Sequence, residues 1–139
     1  KKGSILIDGH NITQYNTDNL FSYLRQQGYM FDTSIKENIL LGKEESDNFK
    51  EIIEKLNIDL TKNINDLSGG EKQKVAIARL LVNPNPIILL DESFSNIDIA
   101  SSKMILNSLS KLENIMVIMI THRKQELEDL EYDSIDILE

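Results

Sequence analysis

Leu67 to Asp98, LSGGEKQKVAIARLLVNPNPIILLDESFSNID, joins a glycine-rich helix start to an aliphatic strand that ends in two adjacent carboxylates. Ser68 with Glu71 three positions later forms the S-x-x-E pattern of a capping box directly ahead of an apolar-periodic run, so a helix is expected to begin near Ser68. The first-turn amides of such a helix have no partners inside it, and the macrodipole adds partial positive charge there. Gly69 and Gly70, lacking side chains, let an anion approach that backbone. Taken alone, Ser-Gly-Gly-Glu is equally a plain cap after a tight turn, worth about 1 kcal/mol with no ligand involved. The residues that follow favour the anion site.

Ile87, Ile88, Leu89 and Leu90 form an unbroken apolar run between Asn83-Pro84-Asn85-Pro86 and Asp91-Glu92. Such a run reads as a strand covered on both faces of a parallel sheet. Its carboxyl end is the edge at which open α/β sheets bind ligands, and two carboxylates there suit a hydrated magnesium ion and a water to be activated.

Leu67-Ser68-Gly69-Gly70-Glu71 resembles the signature motif of ATP-binding cassette (ABC) ATPases, and Ile87 to Asp91 resembles the Walker B strand of that family, with Glu92 next in line. The resemblance implies that Ser68, Gly69 and Gly70 bind nucleotide. It also implies that Asp91 holds magnesium through water and that Glu92 is the general base polarising the attacking water. Phosphoryl transfer asks the protein for positioning and charge stabilisation more than for covalent chemistry, which one well-placed carboxylate can supply. Ser95-Asn96-Ile97-Asp98 resembles the D-loop, usually SALD, and keeps its serine and aspartate. Asp98 is the nucleotide-binding residue implied there. It reads equally as the N-cap of a following helix, where Ile105, Leu109 and Leu112 give a core-facing stripe. The apolar run Ile115 to Ile120 ends in Thr121-His122-Arg123, as the switch-histidine strand of the family does, which implies a γ-phosphate sensor at His122. Without that order, a lone histidine at a strand end is an ordinary surface residue.

Phe21 to Gln26 alternates like a half-buried strand and leads into Tyr29-Met30-Phe31 and Ser34-Ile35-Lys36-Glu37-Asn38-Ile39, similar to the Q-loop region and TIxENI segment of exporter-type cassettes. Counting back from Phe31 and Ile35 puts Gln26 on the family glutamine, with Gln27 one register away. A glutamine can ligate magnesium through its carbonyl and orient water through its amide. The Walker A loop G-x-x-x-x-G-K-[ST] is not found: Gly42-Lys43 would need glycine at 37 and a hydroxyl at 44, where the chain has Glu37 and Glu44. Gly3 to Gly9, GSILIDG, resembles the strand shortly after Walker A, so the chain reads as a domain whose part bearing Walker A lies before it. Tyr132 to Glu139 resembles a late strand of the same domain.

The 139 residues, 40% of them hydrophobic, suit one compact unit, and no apolar run is long enough to insert in a membrane. Cysteine is absent and the two histidines are far apart, so neither disulfides nor a zinc site is expected. A net charge of -8 argues against nucleic acid as partner. Glu44 to Leu60 offers one helix with Phe49, Ile52, Ile53 and Leu56 at helical spacing and Ser46 and Asp47 as caps, which fits a helical subdomain over approximately residues 40–82. The link from there to Leu67 is shorter than in exporters and lacks their usual glycine-containing stretch.

The expected fold is α/β, a partial P-loop NTPase (RecA-like) ABC ATPase core with a parallel sheet and a small helical subdomain, residues 1–139 forming a single partial ATP-binding domain. The resemblance implies ATP and Mg2+ as cofactors and a place at the cytoplasmic face of the cell membrane. Its implied partners are a transmembrane domain and a second ABC nucleotide-binding domain, associated head to tail so that Ser68 and Gly70 close over the γ-phosphate held by the other subunit. The competing expectations are a catalytically silent interaction module of this fold and a soluble ABC ATPase acting on DNA or ribosomes.

Overall fold

A computed structural model describes residues 3–25 and 28–134. The sheet is built around β4 (Ile87–Asp91), with β3 (Phe21–Leu24) parallel on one side and β5 (Met116–Ile120) parallel on the other. The register sets Leu24 opposite Leu90 and Asp91 opposite Ile120, so all three carboxyl ends fall on one edge. Parallel neighbours need crossovers. Helices α1 (Ile35–Leu40), α2 (Phe49–Lys55) and α3 (Gly69–Val82) lie in the connection from β3 to β4, and α4 (Ile99–Leu109) lies in that from β4 to β5. Ahead of them, β1 (Leu6–Ile7) and β2 (His10–Asn11) form an antiparallel hairpin turning at Asp8 and Gly9, whose φ values of 49° and 80° suit a primed turn.

The core joins the apolar stripe of α3 (Val75, Ile77, Ala78, Leu81) and that of α4 (Ile105, Leu106, Leu109) to Ile88 and Leu90 of β4. Leu112, the last residue of the expected α4 stripe, falls beyond the helix and packs half-buried on the core.

Two expectations are corrected. Ile88 and Leu90 are 0% and 2% exposed, but Ile87 and Leu89 are only half-buried. Their cross-strand neighbours Tyr23, Met116 and Ile118 are 51%, 59% and 49% exposed. β4 is therefore covered on one face, because the helices that fill the core pack there and no described element lies on the other. The second helical region is also shorter than Glu44–Leu60. Its N-cap is Asn48, with no side-chain cap, since Asn48 is engaged by the Ser46 hydroxyl while the Ser46 carbonyl accepts from Phe49 N at 2.9 Å. The chain leaves the helix at Leu56 and reverses at Asn57, where φ is 50°. Ile135–Glu139 of the late strand lie outside the described residues, as do Gln26 and Gln27; Tyr132-Asp133-Ser134 is irregular.

Ile88→Ala should lower the unfolding free energy by about 2–5 kcal/mol, whereas Ile118→Ser on the uncovered face should change it by less than about 0.5 kcal/mol. Urea denaturation of the two variants checks both.

Candidate functional site at the carboxyl edge of the sheet

Asp91 is the last residue of β4, and its Oδ2 accepts a hydrogen bond from the Tyr23 hydroxyl at 3.2 Å. Glu92 follows with φ of 46°, a left-handed conformation that costs a non-glycine residue about 1–3 kcal/mol unless its surroundings impose it. They do. Glu92 N donates to Ile120 O at 3.0 Å, Ser95 N donates to Glu92 O at 3.2 Å, and buried Ser93 donates from Oγ to Leu24 O at 2.6 Å. From α3, buried Gln73 donates to Ser93 O at 2.6 Å and to Arg25 O at 3.2 Å, fastening the turn to the end of β3. The chain thus leaves β4 with the Glu92 side chain turned toward the end of β5, where its Oε1 lies 3.2 Å from His122 Nε2. Both stay open to solvent, Glu92 42% and His122 85% exposed. Asp91, Glu92 and His122 thus lie at one edge of the sheet, and Tyr23 joins them.

The start of α3 forms the second part. Ser68 is the N-cap: its Oγ accepts from Glu71 N at 3.3 Å, and its own N and Oγ donate to Glu71 Oε2 at 2.9 and 2.8 Å. Lys62 Nζ sits 2.6 Å from Glu71 Oε1 and, with the Ser68 bonds, lowers the Glu71 carboxyl to about 2. The two glycines differ. A Cβ on Gly69 would meet nothing within 4 Å, whereas one on Gly70 would come 3.3 Å from Asn96 O. The loop after Glu92 therefore packs against the first turn of α3 at Gly70. Asp98 at the end of that loop caps α4, accepting from Ser101 N at 2.9 Å and Ser101 Oγ at 2.7 Å, and these bonds lower its pKa. Among the described residues no hydrogen bond or ion pair joins Ser68, Gly69 or Gly70 to Asp91, Glu92 or His122.

Other residues that support the site were not foreseen. Asn38, fully buried, accepts from Phe31 N at 2.8 Å and donates to Phe31 O at 2.9 Å and Ser34 O at 3.0 Å. Arg79 of α3 donates to Asn38 O at 2.6 Å and Tyr29 O at 3.1 Å, so the segment after β3 is laced to α3. A Cβ on Gly28 would stand 2.6 Å from the Ala76 Cβ, which shows how closely that segment approaches the helix. Ser34 and Glu37 form a second capping box, which the same S-x-x-E pattern announces in the sequence. For Asn38 and Arg79 the sequence holds no such signal, because a polar residue that bonds to backbone far along the chain reads like a solvated one.

The donor set at the edge fits a divalent ion only in one way. Among the described residues no group of three or more His, Cys, Asp and Glu is arranged to hold a metal, so a closed protein cage is not formed. Two solvent-facing carboxylates suit magnesium, which keeps most of its waters and takes one or two carboxylates.

A parallel sheet with adjacent carboxylates and a histidine at its carboxyl edge, crossed over by a glycine-started capped helix, defines an α/β ATPase core of the ABC type. The sequence profile described as "ABC transporter" matches residues 1–95, and the chain belongs to that family. It is 35% identical over 140 residues to the lactococcin transport/processing ATP-binding protein LcnC-like of Lactococcus lactis, covering 87% of this chain and 19% of that protein. To ATP-dependent lipid A-core flippase 1 of Colwellia psychrerythraea it is 36% identical over 157 residues, covering 99% of this chain and 26% of the flippase. A solved structure of a bacterial Atm1-family ABC exporter with ATP bound matches with a TM-score of 0.79 at 29% identity, over 92% of this chain and 26% of the exporter. The chain thus spans between 19% and 26% of the length of these relatives.

Gly69→Ala should leave the unfolding free energy unchanged or raise it by up to about 1 kcal/mol, since the site is open and helical, whereas Gly28→Ala should lower it by about 1–3 kcal/mol through overpacking. Chemical denaturation of both variants checks the contrast. The Glu71 pKa lies below its usual 4.5, so the stability it contributes is fully present above 4.5 and is lost as pH falls toward 2. Thermal melts of the unaltered chain and of Glu71→Gln should differ by a constant amount above pH 4.5 and converge between 4.5 and 2.

Proposed function

We propose that this chain is part of the ATP-hydrolysing unit of a membrane exporter, with Glu92 as its general base. The observation that supports this most is the 3.2 Å approach of Glu92 to His122 beside Asp91, at the ligand-binding edge of a chain in the ABC family. Asp91, oriented by the Tyr23 hydroxyl, would hold Mg2+ through water, and the ion would supply charge neutralisation at the phosphates of ATP. Glu92 takes the proton of the attacking water. His122, largely exposed beside it, steadies the Glu92 carboxylate and senses the γ-phosphate. Gln26 would be a further magnesium ligand and water-orienting group. Ser68, Gly69 and Gly70 meet the nucleotide of a second ABC nucleotide-binding domain, associated head to tail, and Asp98 supports the same interface from its cap on α4. The open space around Gly69, which the fold itself does not demand, supports that assignment.

The phosphate-wrapping motif G-x-x-x-x-G-K-[ST] is not among these 139 residues, so taken by themselves they hydrolyse little ATP. Residues 40–82 form the helical subdomain. A transmembrane domain docks at a groove of about 660 Å³ between the edge of β3 and helices α1 and α3, where Tyr29 and Leu41 are 71% and 51% exposed. The place we assign it is the cytoplasmic face of the membrane, as a unit supplied with ATP; no helix among the described residues is long and apolar enough to cross the bilayer. The net charge of -8 disfavours the reading as an ATPase acting on DNA or ribosomes.

In the full-length protein, Glu92→Gln should lower kcat by a factor of about 100 or more while nucleotide binding persists and the nucleotide-bound dimer accumulates. Steady-state turnover together with size-exclusion chromatography in ATP checks this, and turnover at the unaltered rate would remove Glu92 as the base.

A further inference from the structure

Arg123, the residue after His122, turns back under the loop that begins at Glu92. One of its terminal nitrogens donates to Phe94 O and, at 2.9 Å, to Ile97 O. Its Nε lies 3.1 Å from Oε1 of Glu126, whose side chain is fully buried. The other Glu126 oxygen faces the Thr121 hydroxyl at 3.5 Å, and that hydroxyl accepts from Arg123 N at 3.0 Å. A carboxylate buried this completely is costly unless a cation is held beside it, so Glu126 fixes the guanidinium in place. The guanidinium in turn satisfies carbonyls of an irregular turn that has no strand partner for them.

We propose that Arg123, seated on buried Glu126, is a positioning residue for hydrolysis that sets the loop from Glu92 to Asp98. The proposal rests on the ATPase reading above. Adjacent residues of one turn engage both ends of that loop: His122 meets Glu92 at its start, and Arg123 holds Phe94 and Ile97 further on. The middle of the loop, at Asn96 O, packs where a Cβ on Gly70 would approach within 3.3 Å. The contacts made by His122 and Arg123 therefore reach, through the loop, to the start of α3. Arginine is required for this geometry. Its planar fork reaches two carbonyls and a carboxylate at once, whereas lysine keeps the charge that Glu126 needs but offers only a single nitrogen.

Arg123→Lys in the full-length protein separates positioning from mere stability. The expected result is a kcat lower by at least about tenfold, with KM for ATP within about threefold and the melting temperature unchanged. Amide hydrogen exchange at Ser95 and Ile97, the donors that close the two turns of the loop, should quicken in the same variant while the exchange of α3 stays as it was. Unaltered kcat with unaltered exchange would overturn the proposal, as would a loss of kcat that only follows a lowered melting temperature. If the unaltered full-length protein hydrolyses no ATP, the function proposed above fails. Exchange at Ser95 and Ile97 then still decides whether Arg123 sets the loop.

Discussion

Everything at the candidate site depends on the parallel pairing of β4 with a strand on each side. Because the three strands run the same way in a fixed register, Leu24, Asp91 and Ile120 reach one edge together, and the residues after them inherit that neighbourhood. The pairing also makes the left-handed turn at Glu92 possible, since Glu92 N finds Ile120 O and Ser93 Oγ finds Leu24 O on opposite sides of the central strand. A strained residue held between two rigid strand ends points its side chain reproducibly, which is the usual reason strain persists at such sites.

The second organising feature is the reuse of buried polar groups to fasten irregular segments onto regular ones. Gln73 ties the turn after β4 to the end of β3, Arg79 and Asn38 tie the segment after β3 to α3, and Arg123 with Glu126 ties the loop before α4 to the turn after β5. In each case a side chain satisfies backbone carbonyls that no ladder could reach. The loops near the carboxylates are therefore set by the elements that flank them.

The face of the sheet bearing Tyr23, Leu89 and Ile118 contrasts with this order. It is apolar, yet no described element covers it, while the opposite face is packed by α3 and α4. The aliphatic run Ile87 to Leu90 could not reveal this, because a strand half covered and one wholly covered can carry the same residues. Pattern reports which side chains can be buried; packing decides which are.

The sequence alone determined the start of α3 at Ser68 and the order of strand, carboxylate pair, helix, strand and histidine, and it offered the cap at Asp98 as one of two readings, because caps and hydrophobic runs are local and leave local patterns. It also carried the family, through motifs a few residues long. Only the tertiary structure decided that Tyr23 bonds to Asp91, that Glu92 meets His122, and that Arg123 pairs with buried Glu126. Those contacts join residues from different strands, or depend on a burial that neighbours far along the chain create, so no stretch of sequence contains them.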